Sequence, residues 1–131
     1  MSWDVAPVLG CPDVAASAAW WRAMLDFDFD PVRHMAVDAD GLAIYATLER
    51  AGAGVHLQRR SPMEAARPHI AYDAYFYVDT DIDDLFERYV AKGVVAIFAP
   101  TNEMYGLRDF GIETPDGHRL NFGSPLPPPA K

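Results

Sequence analysis

The sequence predicts an α+β fold built from two βαβββ modules, and three observations carry that prediction. A strand, a helix and further strands follow one another twice along 131 residues. Asp13-Val14 and Asp81-Ile82 open the two helices about 68 residues apart, the spacing of an internal repeat. Gly54-Val-His-Leu57 and Arg119-Leu-Asn-Phe122 close the two halves in matching register. A ferredoxin-like sandwich is the competing α+β arrangement, but it has fewer strands per helix.

The first module spans residues 5–59. Val5 to Cys11 is an apolar run of strand length, ended by Pro12. Asp13 then supplies an N-cap carboxylate for a helix over Val14 to Leu25, where Val14, Ala18, Trp21 and Leu25 share one face. Phe27 and Phe29 suggest the second strand, followed by a polar hairpin around Asp38-Ala-Asp-Gly41. Leu42 to Leu48 and Val55 to Arg59 read as the third and fourth strands, separated by Arg50-Ala-Gly-Ala-Gly54. Residues 60–70 form a linker in which Pro62 and Pro68 leave room for one helical turn.

The second module spans residues 71–124. Ala71 to Val78 is a strongly aromatic strand, and Asp81 caps a helix over Ile82 to Lys92. Ile82, Leu85, Phe86 and Tyr89 form its apolar face, while acids in the first turn and Arg88 and Lys92 near the end complement the helix dipole. Gly93 is a natural stop, and Val94 to Phe98 follows as a strand. Leu107 to Glu113 and His118 to Phe122 close the module as a hairpin around Pro115-Asp-Gly117. Residues 125–131, with Pro127-Pro-Pro129, form an extended tail unable to join a ladder. The whole length fits a single domain with a real core.

Composition narrows the function classes. Half the residues are hydrophobic and 12% aromatic, which fits a packed protein and argues against disorder. The formal net charge of −8 repels phosphate backbones, so nucleic acid is not an expected partner, whereas a small cationic molecule would be attracted. The one cysteine, Cys11, requires no oxidising compartment and reads as a small buried hydrophobe. No apolar stretch approaches membrane-spanning length, and Met1-Ser-Trp-Asp4 lacks the features of a signal peptide. A cytoplasmic protein without a membrane partner is the expectation. No Gly-rich phosphate loop, nucleophile elbow or Cys–His pairing is present. The acidic run Asp79 to Asp84 lacks the glycine and terminal glutamate of a calcium loop.

Several segments together resemble the vicinal oxygen chelate superfamily, which comprises glyoxalases, bleomycin-resistance proteins and extradiol dioxygenases. Pro7-Val-Leu-Gly-Cys-Pro-Asp-Val14, Trp20-Trp21 and Met24-Leu-Asp-Phe27 look like the family's first strand, helix and helix exit, with Asp26 replacing the usual glycine. Tyr75-Phe-Tyr-Val-Asp-Thr-Asp-Ile-Asp-Asp-Leu85 and Ala91-Lys-Gly-Val94 look like the opening of the second module. Tyr105-Gly-Leu-Arg-Asp-Phe110 with Pro115-Asp-Gly-His118 looks like its closing hairpin. The match is strongest to the bleomycin-resistance-like branch. It implies paired βαβββ modules in a curled mixed sheet, small-molecule sites in the resulting cups, and a homodimer. The fold hosts lyases, isomerases, dioxygenases and non-catalytic drug binders, so it does not by itself decide function.

The resemblance also maps the family's metal-ligand positions onto Ala6, His56, Asp73 and Asn121. Ala6 has no donor atom, and Asn121 offers a neutral amide where a carboxylate would balance a cation. Two good ligands fall short of the three that catalytic zinc or a facial iron site takes. No metal and no cofactor are therefore expected, and His56 reads as a hydrogen-bonded histidine within a polar cup. His34, His69 and His118 fall at loop or turn positions and read as surface residues.

Strand alternation assigns the cup. Ala74, Phe76 and Val78 would face the helix, leaving Asp73, Tyr75 and Tyr77 on the cup side. Val55, Leu57, Leu120 and Phe122 would pack, leaving His56, Gln58, Arg119 and Asn121 on the other face. Tyr45, Phe98 and Tyr105 add aromatic candidates. The expected ligand-binding set is Tyr45, His56, Asp73, Tyr75, Tyr77, Phe98, Tyr105 and Asn121, with no catalytic residue. Such a lining suits a flat, partly polar or cationic drug-like ligand. The leading reading is sequestration, as in antibiotic resistance. The alternative is a lyase, isomerase or dioxygenase using His56 and Asp73 as metal ligands or acid–base groups.

Overall fold

The computed structural model describes residues 3–65 and 72–127, and the chain divides into two units, Met1–Pro68 and His69–Lys131. Each unit holds one βαβββ module, and each module's sheet has four strands.

In the first unit the strands are β1 (Val8–Cys11), β2 (Met35–Val37), β3 (Ala43–Arg50) and β4 (Ala53–Arg59), in the order β1-β4-β3-β2. β1 runs parallel to β4 and the remaining pairs are antiparallel. Helix α1 (Val14–Leu25) follows β1 because Asp13 caps it: the Asp13 carboxylate accepts from the Ala16 N–H at 3.0 Å. Its face of Val14, Ala18, Trp21 and Leu25 is fully buried, and Trp21 meets Phe27 edge-on with ring centroids 5.0 Å apart. Leu9, Ala46 and Leu57 form a registered row on the buried face of the sheet. After β4 comes the single turn α2 (Pro62–Ala65), started by a capping box in which Ser61 and Glu64 exchange backbone-to-side-chain bonds of 3.0 and 3.1 Å.

The second unit repeats this plan with β5 (Ala74–Tyr77), α3 (Ile82–Ala91), β6 (Val95–Asn102), β7 (Leu107–Glu113) and β8 (Arg119–Pro125), in the order β5-β8-β7-β6. Asp81 caps α3 by accepting from the Asp84 N–H at 3.0 Å. A Schellman motif ends the helix: Gly93 at φ 92° lets the Val94 N–H reach the Tyr89 carbonyl and its own N–H reach Val90. Phe76, Phe122 and Phe110 lie in register across β5, β8 and β7. Their rings stack at 5.0 and 5.4 Å, and Tyr89 from α3 closes on them edge-first. This aromatic ladder is the core of the module, so the alternate residues of the same strands are turned to the opposite face.

Three expectations need correction. The second strand is Met35–Val37, not the Phe27–Phe29 stretch; those two phenylalanines are buried, and only Asp28 makes an isolated bridge, to Glu49. Their hydrophobicity serves core packing beside α1, not a ladder. Pro125 does join the sheet, as the last residue of β8 opposite Leu107, because an end position of an antiparallel ladder tolerates a missing N–H. His118 is buried at 4% exposure within the β7–β8 turn and is not a surface residue. His69 and the start of the expected strand at Ala71 lie outside the described residues.

Candidate functional site

The open face of the second module, opposite α3, carries a tyrosine–carboxylate cluster. Asp109 stands on β7 beside Phe110, whose burial under α3 turns the carboxylate to the open face. Its Oδ2 accepts two phenols, from Tyr75 at 2.9 Å and from Tyr105 at 2.5 Å. Tyr75 comes from β5, and Tyr105 from the turn between β6 and β7. Burial, followed by the hydrogen bond to Asp109, raises the Tyr75 phenol above its usual range. For Tyr105 the hydrogen bond to Asp109 is the larger cause of the same upward shift.

Two glycines make this arrangement possible. Gly123 lies opposite Asp109 on β8, and a Cβ there would collide with the Tyr75 hydroxyl. Gly111 lies opposite Asn121, and a Cβ there would come within 2.5 Å of the Phe98 ring and 3.1 Å of Asn121 Oδ1. Tyr75 and Phe98 therefore lie flat over glycine backbone. Tyr77 is exposed and leans on Tyr75, with ring centroids 5.0 Å apart. Asn121 is buried in the middle of this face, and its Oδ1 has no hydrogen-bond partner; the same holds for Asp109 Oδ1 and Arg119 Nε.

The first module presents a different surface. An open cleft of about 600 Å³ is lined by Asp4, Asp28, His34, Thr47, Glu49 and His56 among others. His56 on β4 accepts or donates through Nδ1 to the Tyr45 hydroxyl at 2.7 Å, and the two rings meet edge-on. The internal repeat extends to this level. Val8 pairs with His56 in the first sheet as Tyr75 pairs with Asn121 in the second.

The expected residues thus fall into separate groups. Tyr45 and His56 sit together in the first module, and Tyr75, Tyr77 and Tyr105 gather near Asp109 in the second. Asn121 and Phe98 flank Gly111 on the same sheet. Asp73 is differently engaged: its Oδ2 accepts from the Arg119 N–H at 2.8 Å, and its own N–H donates to the Arg119 carbonyl, so it staples the start of the β5–β8 pair. Sequence reasoning missed Asp109, although the alternation that buries Phe110 and Ile112 would have placed it on the open face. It also missed His34, which lines the first cleft with its Nδ1 accepting the Asp30 N–H at 2.9 Å.

The four mapped metal positions do not fit a divalent ion. Ala6 has no donor and Asn121 is neutral, which leaves His56 and Asp73 as the two good donors, short of the three that a catalytic zinc or facial iron site takes. Among the described residues no group of three His, Cys, Asp or Glu side chains is arranged to hold a metal. No helix among them is long and apolar enough to cross a membrane.

Comparison with solved structures finds the same fold in proteins of low identity. TioX from Micromonospora sp. ML1 is 22% identical, with a TM-score of 0.70 over 94% of this chain and 100% of that one. A glyoxalase-related enzyme from Clostridium phytofermentans is 20% identical, with a TM-score of 0.76 over 96% and 97%. A glyoxalase/bleomycin resistance protein/dioxygenase from Nocardioides is 18% identical, with a TM-score of 0.65 over 100% and 91%. No curated protein matches the sequence. A family model matches residues 5–122, and the chain belongs to the Glyoxalase/Bleomycin resistance protein/Dioxygenase superfamily.

Proposed function

We propose that the protein is a metal-independent small-molecule binder, a homodimer in which ligands rest on the open sheet faces. The observation that carries this reading is the donor set. At the four mapped positions, one residue has no donor and one is neutral, so only His56 and Asp73 remain as good metal donors, short of three. The aromatic and polar open face of the second module supplies what a flat ligand needs: tyrosine rings beside a buried carboxylate. Binding here would sequester a drug-like molecule without making or breaking a bond.

The decisive measurement is metal content of protein purified without chelator. Less than a tenth of an equivalent of Zn, Ni, Mn or Fe is the rough expectation, and a stoichiometric metal overturns the reading. A thermal-shift panel of aromatic compounds, read in the presence of chelator, then tests binding directly, since a ligand selective for the folded state raises the midpoint.

A second reading has one specific observation in its favour. The Tyr45 hydroxyl fixes the His56 ring beside an open cleft, an arrangement suited to proton transfer in a lyase or isomerase. His56→Ala would abolish turnover in such an enzyme and would only weaken binding in a sequestering protein.

A further inference from the structure

We propose that Asp109 and Asn121 form a seat for an organic cation, an ammonium or amidinium group carried on an aromatic body. This rests on the binding reading above and specifies its ligand. Asp109 is completely buried, yet only one of its oxygens is satisfied. Oδ1 has no donor, and no Lys, Arg or His among the described residues pairs with the carboxylate. A buried carboxylate with an empty oxygen is costly, and a charged donor is the partner that offsets the cost best.

Asn121 adds a second open acceptor. It is buried, its Oδ1 is unpartnered, and it stands opposite Gly111 while Asp109 stands opposite Gly123. The two side chains are therefore diagonal neighbours on one sheet face, about 7–8 Å apart at the backbone, within reach of a single planar amidinium or a small ammonium. Each offers a buried acceptor oxygen that has no donor. A cation with several N–H donors matches these two oxygens, whereas an anion would meet the buried Asp109 carboxylate as a like charge.

Tyr105 supplies the way in. It stands on the β6–β7 turn and is 57% exposed, so its ring can leave Asp109 without disturbing a strand. The arriving cation takes the place of this phenol at the carboxylate, and the Tyr75 and Tyr77 rings then flank it. The protein's net charge of −8 draws such a ligand from solution.

Titration calorimetry of the full chain with benzamidine and its neutral analogue benzamide, both with chelator present, tests the seat. Benzamidine should bind at least about tenfold more tightly, as expected for a charge-assisted contact. Asp109→Asn should remove that preference. Tyr105→Phe, which deletes the competing phenol, should tighten benzamidine and leave benzamide unchanged. Equal binding of the two probes, or a preference that survives Asp109→Asn, overturns the cation seat alone and leaves the binding reading intact. No binding by either probe overturns the seat, and no response to any compound in the wider panel overturns the binding reading with it. Should Asp109→Asn fail to fold, the Tyr105→Phe result decides.

Discussion

The Tyr75 phenol lies directly over Gly123, so the hydroxyl that donates to Asp109 occupies the space a Cβ at position 123 would need. The contact involves the end of the side chain that is fixed by its hydrogen bond, so it cannot yield freely. Gly123→Ala should therefore displace Tyr75, break its bond to Asp109 and cost about 1–3 kcal/mol in urea unfolding. An unchanged midpoint would show that Tyr75 does not rest on this glycine. Gly111→Ala should disturb the Phe98 ring in the same way and leave the Tyr75–Asp109 bond in place.

Alkaline titration reads the same cluster from its chemistry. Tyr75 and Tyr105 both have phenols raised above the ordinary range, the first mainly by burial and the second mainly by its bond to Asp109. A raised folded-state value means the folded protein holds the proton more strongly than the unfolded chain. The stability this contributes is complete below the unfolded phenol value of about 10 and is lost as pH rises through the folded values. Phenolate absorbance should therefore show these two groups ionising late, and stability should fall above about pH 10. Asp109→Asn should move their ionisation to lower pH; an unmoved curve would disconnect the phenols from the carboxylate.

Side-chain periodicity made the helices and the closing hairpin legible, because α1 at Val14–Leu25 buries one regular face and Phe110 and Ile112 alternate along β7 at Leu107–Glu113. Local hydrophobicity misled at Phe27 and Phe29, where burial comes from packing beside α1 and not from a ladder. The tyrosines were recoverable from alternation, but their shared partner was not singled out: Asp109 becomes significant only when β5 and the β6–β7 turn converge on it. Backbone geometry was partly legible. Asp26, noted as standing where glycine is usual, is left-handed at φ 60°. Ala51 is also left-handed, at φ 50°, in the two-residue turn Ala51-Gly52 between β3 and β4. Such hairpin turns favour asparagine at that position. Ala51→Asn should raise stability by about 0.5–1 kcal/mol, measured by urea unfolding, and a loss would mean the turn differs from a type I′ hairpin.

The turn that closes the second module depends on one hydroxyl. Thr114 is 4% exposed, and its Oγ1 accepts the His118 N–H at 3.1 Å. The Thr114 N–H in turn donates to the His118 carbonyl at 2.9 Å, which closes the Pro115-Asp116-Gly117 loop between β7 and β8. Thr114→Val keeps the shape of the side chain and removes the hydroxyl, which accepts the His118 N–H and also contacts His118 Nδ1 at 3.5 Å. The buried His118 N–H would then lose this acceptor, and the cost should be about 1–3 kcal/mol. Thr114→Ser keeps the hydroxyl and should cost less. Hydrogen exchange separates this effect from general weakening: in Thr114→Val the His118 amide should lose protection first, while the Phe110 and Phe122 amides keep theirs. Uniform loss across all three would mean the hydroxyl supports the sheet as a whole and not the turn.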